Sequence, residues 1–452
     1  MPMAKNYFDF RHRKRQELKR KKRIRQGGRV LSIILILCLA VACVPLFGRI
    51  SPGVQYQGVK LGFLTEADAK NKLEKAQEEF KDKDVTLING KRKAKASAGM
   101  LGLSISPDKV AREAMELSRK TSFIKRPFIA IRRTEPKVPL AVDKNVLSKG
   151  IEKLNGTLYD GAKPARVVLR GEKVVVENGE VGEGVNLEEA ALSLSKGIEK
   201  PVKLKIEEIA PAISTEALQG IDSVLATWTT DYDPNDENRV VNLERGASFF
   251  NRIVLQPGER LSFLETIGGI TKENGFKEGE TLSAGIETTG TGGGVCQVST
   301  TMYNAAVRAD LNILSRHNHS KAVEYAEKGT DCAVSDGYKD FIFTNPYNTP
   351  IYIETKVGKG HVVCTIFGHG AEKPYTIDLL PELIRTMAAG ENWQNTEELK
   401  EGEVKVVQEK EDGSFYKTYK VYKQGNREIK RELASTSRYV PVDGKYLKGI
   451  SD

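Results

Sequence analysis

The sequence predicts a multidomain α+β protein behind a single N-terminal transmembrane helix. Three observations predict it. A charge-free apolar run follows a strongly basic arm, an α-β-β-α order of elements recurs at an offset of about 82 residues, and the C-terminal stretch alternates like strands between glycines.

The arm comes first. The 452 residues carry 70 Lys and Arg against 60 Asp and Glu. Residues 1–50 hold 13 of the basic groups against only Asp9 and Glu17, so the rest of the chain is nearly neutral with 57 basic and 58 acidic groups. A basic folded face for nucleic acid is therefore excluded as a partner surface. Residues 1–29 read as a cytoplasmic arm, because Lys and Arg beside a span are held on the inner side. The run Val30–Gly48 spans about 28 Å as a helix, close to the hydrocarbon thickness of a bilayer. No polar face interrupts it, which argues against a buried globular helix. It reads as an uncleaved anchor set in a lipid bilayer, placing the bulk of the chain outside the cell. A cleaved leader, or lipid attachment at Cys43 behind Leu39-Ala40-Val41-Ala42, are its other two fates.

Beyond the anchor, Thr65 precedes a helical spacing at Ala69, Leu73 and Ala76. Residues 84–96 read as a hairpin about Asn89-Gly90. Ser106-Pro107 opens a second helix through Ser118. The order repeats as a helix over 143–155, strands at 167–169 and 173–177 about Gly171, and a helix from Asn186 to about Ile198. Val85 aligns with Val167, Gly102 with Gly184 and Ser104 with Asn186, so tandem units are expected at 55–135 and 137–212. They resemble the peptidoglycan-binding repeat found before VanW domains, on the stretches 179–194 and 102–107. That resemblance implies attachment to wall glycan; a spacer role is the plain alternative.

A third region opens near Trp228, with a helix expected over 239–254 that buries Val240, Val241, Leu243, Ala247 and Phe250. The densest signal follows at Gly292-Gly293-Gly294-Val295-Cys296-Gln297-Val298-Ser299-Thr300. Three glycines make a close-approach loop, and a helical spacing from Gln297 to Leu311 puts Cys296 at a helix N-terminus. The dipole and free amides there stabilise a thiolate. His317 and His319 follow, then Asp331. A thiol nucleophile needs an imidazole base and the base an orienting acceptor, so Cys296, His319 or His317, and Asp331 are the candidate catalytic residues. Gly292, Gly293, Gly294, Gln297, Ser299 and Thr300 are candidate binding positions around them. A buried structural cysteine and a zinc held by Cys296, His317 and His319 are the competing readings; the expectation adopted carries no metal and no cofactor. A serine elbow and a phosphate loop are both excluded by the missing flanking residues.

Residues 331–367 alternate as an antiparallel meander, on which Cys332 and Cys364 could pair and leave Cys296 free. After a linker near 370–400, residues 399–450 are strand-rich, with turns at Asp412-Gly413 and Gln424-Gly425-Asn426.

The motifs at 257–263, 292–306, 316–320, 329–331 and 345–353 resemble those of the VanW family, over about 228–369. Asn318 stands where such families commonly show a proline between the two histidines. The resemblance implies a cell-envelope protein associated with glycopeptide-resistance clusters and supplies no established reaction. Residues 385–452, with Gly402, Gly413, Gly425, Gly444 and Gly449, resemble the G-five domain. This implies adhesion to a polymer containing N-acetylglucosamine; Tyr416, Tyr419 and Tyr422 either stack on sugar rings or stiffen thin strands. The functional expectation is a membrane-anchored extracellular protein that binds or scaffolds peptidoglycan or another cell-wall glycan. Its rival is a thiol hydrolase or acyl transferase of wall peptide. Protease added to intact protoplasts should digest the chain beyond residue 48; full protection would refute the external placement.

Overall fold

The computed structural model describes residues 32, 48–120, 133–283 and 286–450. The expected arm and membrane helix lie outside the described residues, Ser32 and Gly48 apart. Among the described residues no helix is long and apolar enough to cross a membrane. The architecture is a mixed α+β multidomain one with a β-rich C-terminal part. It divides into two compact units, Met1–Gly161 with Gly182–Ile209, and Ala162–Val181 with Ala210–Asp452.

In the first unit, side-chain caps start the helices where the sequence places them. Thr65 accepts from the Asp68 amide to open Glu66–Lys81, and Asn186 accepts from Glu189 to open Leu187–Ser195. Asp143 caps Lys144–Glu152, and Pro107–Lys120 begins at its proline. The hairpin Asp84–Asn89 with Arg92–Ser97 turns at Gly90 and buries Val85, Leu87, Ala94 and Ala96 on one face. Val202–Lys203 joins it in parallel. The two glycines that the sequence aligns are crowded in different ways, Gly102 at φ 67° against backbone and Gly184 against a side-chain tip. A Cβ on Gly102 would lie 2.6 Å from the Asp143 carbonyl, and one on Gly184 would lie 1.8 Å from Ile209 Cδ1. The second expected hairpin, Arg166–Arg170 with Lys173–Glu177, forms within the other unit, where Ala165 and Val167 pack on Tyr352 and Phe367.

The second unit is built on an antiparallel sheet in the order Ser223–Asp231, His361–Gly368, Ile351–Gly358, Ile253–Leu255. The cysteine helix Val295–Arg308 packs on it beside helix Glu237–Ser248. A smaller sheet places Ile342–Thr344 between Arg260–Ser262 and Asn312–Ser315. The expected single meander over 331–367 is thus split between two sheets, because Asn345 breaks it: its side-chain amide bonds the carbonyls of Leu255 and Thr349 and turns the chain. Cys332 and Cys364 are both buried and both free, so the pairing considered for them does not form.

The helix expected over 239–254 ends at Ser248. Arg252 adopts φ 67°, and the β-branched Ile253-Val254 leads into a strand paired with Ile351–Ile353. Val241 is largely exposed, whereas Asn242 takes a core position with its amide on the carbonyls of Lys277 and Gly293.

The expected linker near 370–400 contains strands Thr376–Met387 and Glu391–Thr396. Pro381 is tolerated because Thr376–Met387 is an edge, paired only with Gly413–Gln424, which in turn pairs with Arg427–Tyr439. A second C-terminal sheet runs Glu391–Thr396, Gly444–Gly449, Val404–Gln408. Under the cysteine helix, Phe250 stacks on Phe263 at 4.4 Å between ring centres. Phe250→Ala should destabilise the protein by about 3–5 kcal/mol and Val241→Ala by under about 0.5 kcal/mol, read from denaturant midpoints.

Candidate functional site

Almost every side chain of the cysteine helix is buried. From Val295 to Val307 only Cys296 is half-exposed. The glycine loop makes this possible by packing tightly. Gly292 and Gly294 take φ 87° and 107°, and a Cβ on Gly293 would lie 2.5 Å from the Glu280 carbonyl. The helix is therefore seated with its first turn, and Cys296, at the edge of the core.

Its buried polar residues hold the opposite loop. Ser299 Oγ donates to the Cys332 carbonyl at 2.7 Å, and Thr300 Oγ1 accepts from the Cys332 amide at 2.9 Å. Asn304 donates to the Thr330 carbonyl at 2.8 Å. Gln297 donates to the Asp231 carbonyl and Thr230, and accepts from Arg239. Gln297, Ser299 and Thr300 are thus engaged inside the protein: Ser299 and Thr300, with Asn304, fix residues 330–332 against the helix, and Gln297 ties its first turn to the central sheet and Arg239.

That fixing aligns the candidate catalytic groups. His319 is buried, and its Nδ1 lies 2.6 Å from Asp331 Oδ2, which also accepts the His319 amide at 2.7 Å. The imidazole is also hydrogen-bonded to the Cys296 thiol, and Asp331 leaves Nε2 as the nitrogen for that contact; Sγ donates to the Val334 carbonyl at 3.4 Å. Burial alone would raise the Cys296 thiol, but its hydrogen bond and charge contact with His319 outweigh this and lower it below the ordinary range. Burial opposes charge on His319 too, yet Asp331 and Cys296 together hold the imidazole up at about 9. Asp331 stays below the usual carboxylate range despite burial, because His319 and Arg316 face it. The arrangement sets a thiol of lowered proton affinity beside an imidazole that a carboxylate orients, at the positive end of a helix.

His317 lies elsewhere. It is exposed, with its ring 3.4 Å from Ser315, while its carbonyl accepts from Ala333. Among the described residues no group of three His, Cys, Asp or Glu side chains is arranged to hold a metal. Of the aromatic candidates, Tyr422 is buried and bonded to Glu432 and Asp310, Tyr416 is half-buried against Tyr439, and Tyr419 is half-buried.

Sequence reasoning missed Arg316, Tyr325 and Tyr439. Arg316 is nearly fully buried, bonds the Asp331 carbonyl at 2.7 Å through Nε and faces Oδ1 at 3.3 Å. Its place inside the motif at 316–320 was the available signal. Tyr325 lies edge-on to His319, 6.4 Å between centres.

Three family descriptions match parts of the chain. The family described as "VanW like protein" matches residues 238–367, which hold Cys296, His319 and Asp331. "Putative peptidoglycan binding domain" matches 95–207 and "G5 domain" 385–450. Uncharacterized protein YoaR of Bacillus subtilis (strain 168) is 31% identical over 252 residues, 54% of this chain and 82% of that protein. The chain belongs to the VanW family. Vancomycin B-type resistance protein VanW of Enterococcus faecalis (strain ATCC 700802 / V583) is 29% identical over 153 residues, 32% of this chain and 55% of its own length. The solved structure titled "IgA1 Protease G5 domain structure" is 26% identical over 18% of the chain and all of its own, at a TM-score of 0.13.

For this VanW-family site, alkylation should distinguish Cys296 from Cys332 and Cys364. Cys296 in the native protein should react at pH 6 to 7, where Cys332 and Cys364, whose thiols burial pushes up, stay unlabelled. Its rate should level off at a lower pH than that of an ordinary thiol, and the imidazolium beside it should be lost as pH rises through about 9. His319→Ala should slow labelling at pH 6 on the order of tenfold, equivalent to about one pKa unit. Residue-resolved mass spectrometry of the labelled peptides checks this.

Proposed function

We propose that this chain is a cell-wall-associated thiol enzyme that acts by acyl transfer on wall peptide. The observation that carries the reading is the alignment of Cys296, His319 and Asp331: a buried imidazole 2.6 Å from a carboxylate and hydrogen-bonded to the thiol of a half-buried cysteine. A buried cysteine used for packing alone needs neither partner.

In this reading the Cys296 thiolate adds to an amide carbonyl of the wall peptide. The developing oxyanion lies at the positive end of the cysteine helix, where the Val295 and Gln297 amides are already bonded to the Gly292 and Gly294 carbonyls. His319 gives its proton to the departing amine, leaving a thioester on Cys296. Water or a second amine then releases the acyl group, which makes the outcome hydrolysis or transpeptidation. Asp331 keeps the imidazole in the orientation both steps require.

The wall assignment draws on the family matches for peptidoglycan binding and for G5. Placement outside the membrane on a 30–48 anchor belongs to the same proposal. A glycan surface separate from the thiol is favoured by one further observation. Trp393, 51% exposed, stacks on Tyr446 at 4.6 Å between ring centres, on the sheet that carries neither Tyr416 nor Tyr422. Such an aromatic plate suits the apolar face of a sugar ring better than the engaged Tyr416 and Tyr422.

Incubation of the full-length protein with muropeptides, followed by mass analysis, tests the chemistry. Wild type should yield products gaining one water or a joined peptide, and Cys296→Ala should lose this by a factor on the order of 10³ or more. Identical spectra from the two proteins would leave only a binding role. Trp393→Ala should weaken co-sedimentation with purified wall without changing Cys296 labelling.

A further inference from the structure

We propose that Tyr439, supplied by the C-terminal module, is a positioning residue of the Cys296 centre, so that the G5 sequence completes the VanW site instead of standing apart as a wall-binding appendage. This rests on the reading of Cys296, His319 and Asp331 as catalytic.

The C-terminal sheet is docked along the loop that carries the histidine and the carboxylate. Asn318 Nδ2 donates to the Arg438 carbonyl at 2.9 Å, and the Val440 amide donates to the Ser320 carbonyl at 2.9 Å. Thr418 Oγ1 donates to the Gly329 carbonyl at 2.9 Å, and Arg316 Nη1 to Ser437 Oγ at 2.8 Å. Gly329 can bring its backbone this close only without a side chain: a Cβ there would lie 2.6 Å from Thr418 Oγ1.

Tyr439 ends the docked strand and is buried. Its hydroxyl lies 2.6 Å from the Gly329 amide and 2.5 Å from Asp331 Oδ1. A phenol has one proton and the amide can only donate, so the hydroxyl must accept from Gly329 and donate to Asp331. The direction of the second bond is thereby determined. One carboxylate oxygen faces the C-terminal strand and Arg316, which leaves the other turned to His319. Burial and the Asp331 charge both push the Tyr439 phenol upward, so it remains a donor at every pH at which the imidazole titrates. A hydroxyl used only for docking would have no reason to end on the carboxylate that orients the base.

The test uses the full-length chain and the pH dependence of Cys296 alkylation by iodoacetamide, followed at the Cys296 peptide because Cys38 and Cys43 also carry thiols. The charged and titratable groups facing the pair are Asp331, Arg316, Lys339, Cys332, Tyr325 and Tyr439. Tyr439→Phe keeps the ring against Tyr416 and removes the hydroxyl; Tyr439→Met replaces it if the first variant does not fold. Thr418→Val cuts a neighbouring docking bond without touching Asp331. Each protein is first melted, and rates are compared where all are folded.

Tyr439→Phe should move the Cys296 midpoint up by about one pH unit, since Oδ1 then keeps only Arg316, at 3.3 Å, and a carboxylate less firmly held against Nδ1 supports the imidazolium less. Thr418→Val should leave the midpoint at the wild-type value. A Tyr439→Phe midpoint that is unchanged or lower, or equal shifts in both variants, overturns the proposal. If His319→Ala raises the midpoint and Tyr439→Phe does not, the catalytic reading stands and only the role of Tyr439 falls. If wild-type Cys296 titrates as an ordinary thiol, the catalytic reading falls and takes this proposal with it.

Discussion

The Asp331 carboxylate is 1% exposed, and a charge so buried must be met on both oxygens or it would be protonated. Oδ2 takes the amide and ring of His319; Oδ1 takes the Tyr439 hydroxyl and faces Arg316. These partners come from residues 316–319 and from the last residue of a strand more than a hundred positions away. Satisfying one carboxylate therefore sets the loop conformation, the seating of the C-terminal sheet and the orientation of the imidazole together.

The cysteine helix explains how Cys296 reaches that imidazole. A helix buried almost all round would usually be uniformly apolar. This one carries Gln297, Ser299, Thr300, Thr301 and Asn304 in its buried length, each bonded to a neighbouring segment. The polar groups act as fixed spacers between the helix, the central sheet and residues 330–332. Their geometry tolerates little sliding, which suits a nucleophile that must meet its base within hydrogen-bond reach.

The C-terminal sheets divide two tasks by face. Thr418, Lys420 and Tyr422 alternate inward along one strand, with Thr418 on Gly329 and the other two on Asp310 at the end of the cysteine helix region. Trp393 and Tyr446 lie on the other sheet, Trp393 exposed and Tyr446 half-buried beneath it. The tyrosines that alternation made conspicuous are thus partly spent on docking, and the aromatic pair suited to a sugar was hidden in the sequence by a separation of more than fifty residues and a parallel strand pairing.

Local rules carried much of the chain. Thr65, Asn186 and Pro107 start helices because a side-chain oxygen or a fixed φ acts within one turn, and Gly90 and Gly425 turn hairpins because only they take positive φ cheaply. The glycine run ahead of Cys296 marked a helix start for the same reason. Where partners lie far apart, local rules gave out. Asn242 in a core position, the strand at Ile253–Leu255, the split of 331–367 between two sheets and the two strands within the expected linker all depend on long-range pairing. So does the choice between two histidines: His317 and His319 sit one residue apart in alternation, and only the packing of residues 330–332 decides which is buried on Asp331. By itself the sequence determined the residue types for a thiol site and the helix end that would present one of them. Tertiary structure decided which imidazole and which distant hydroxyl complete it, because a buried charge selects its partners by geometry and not by their order along the chain.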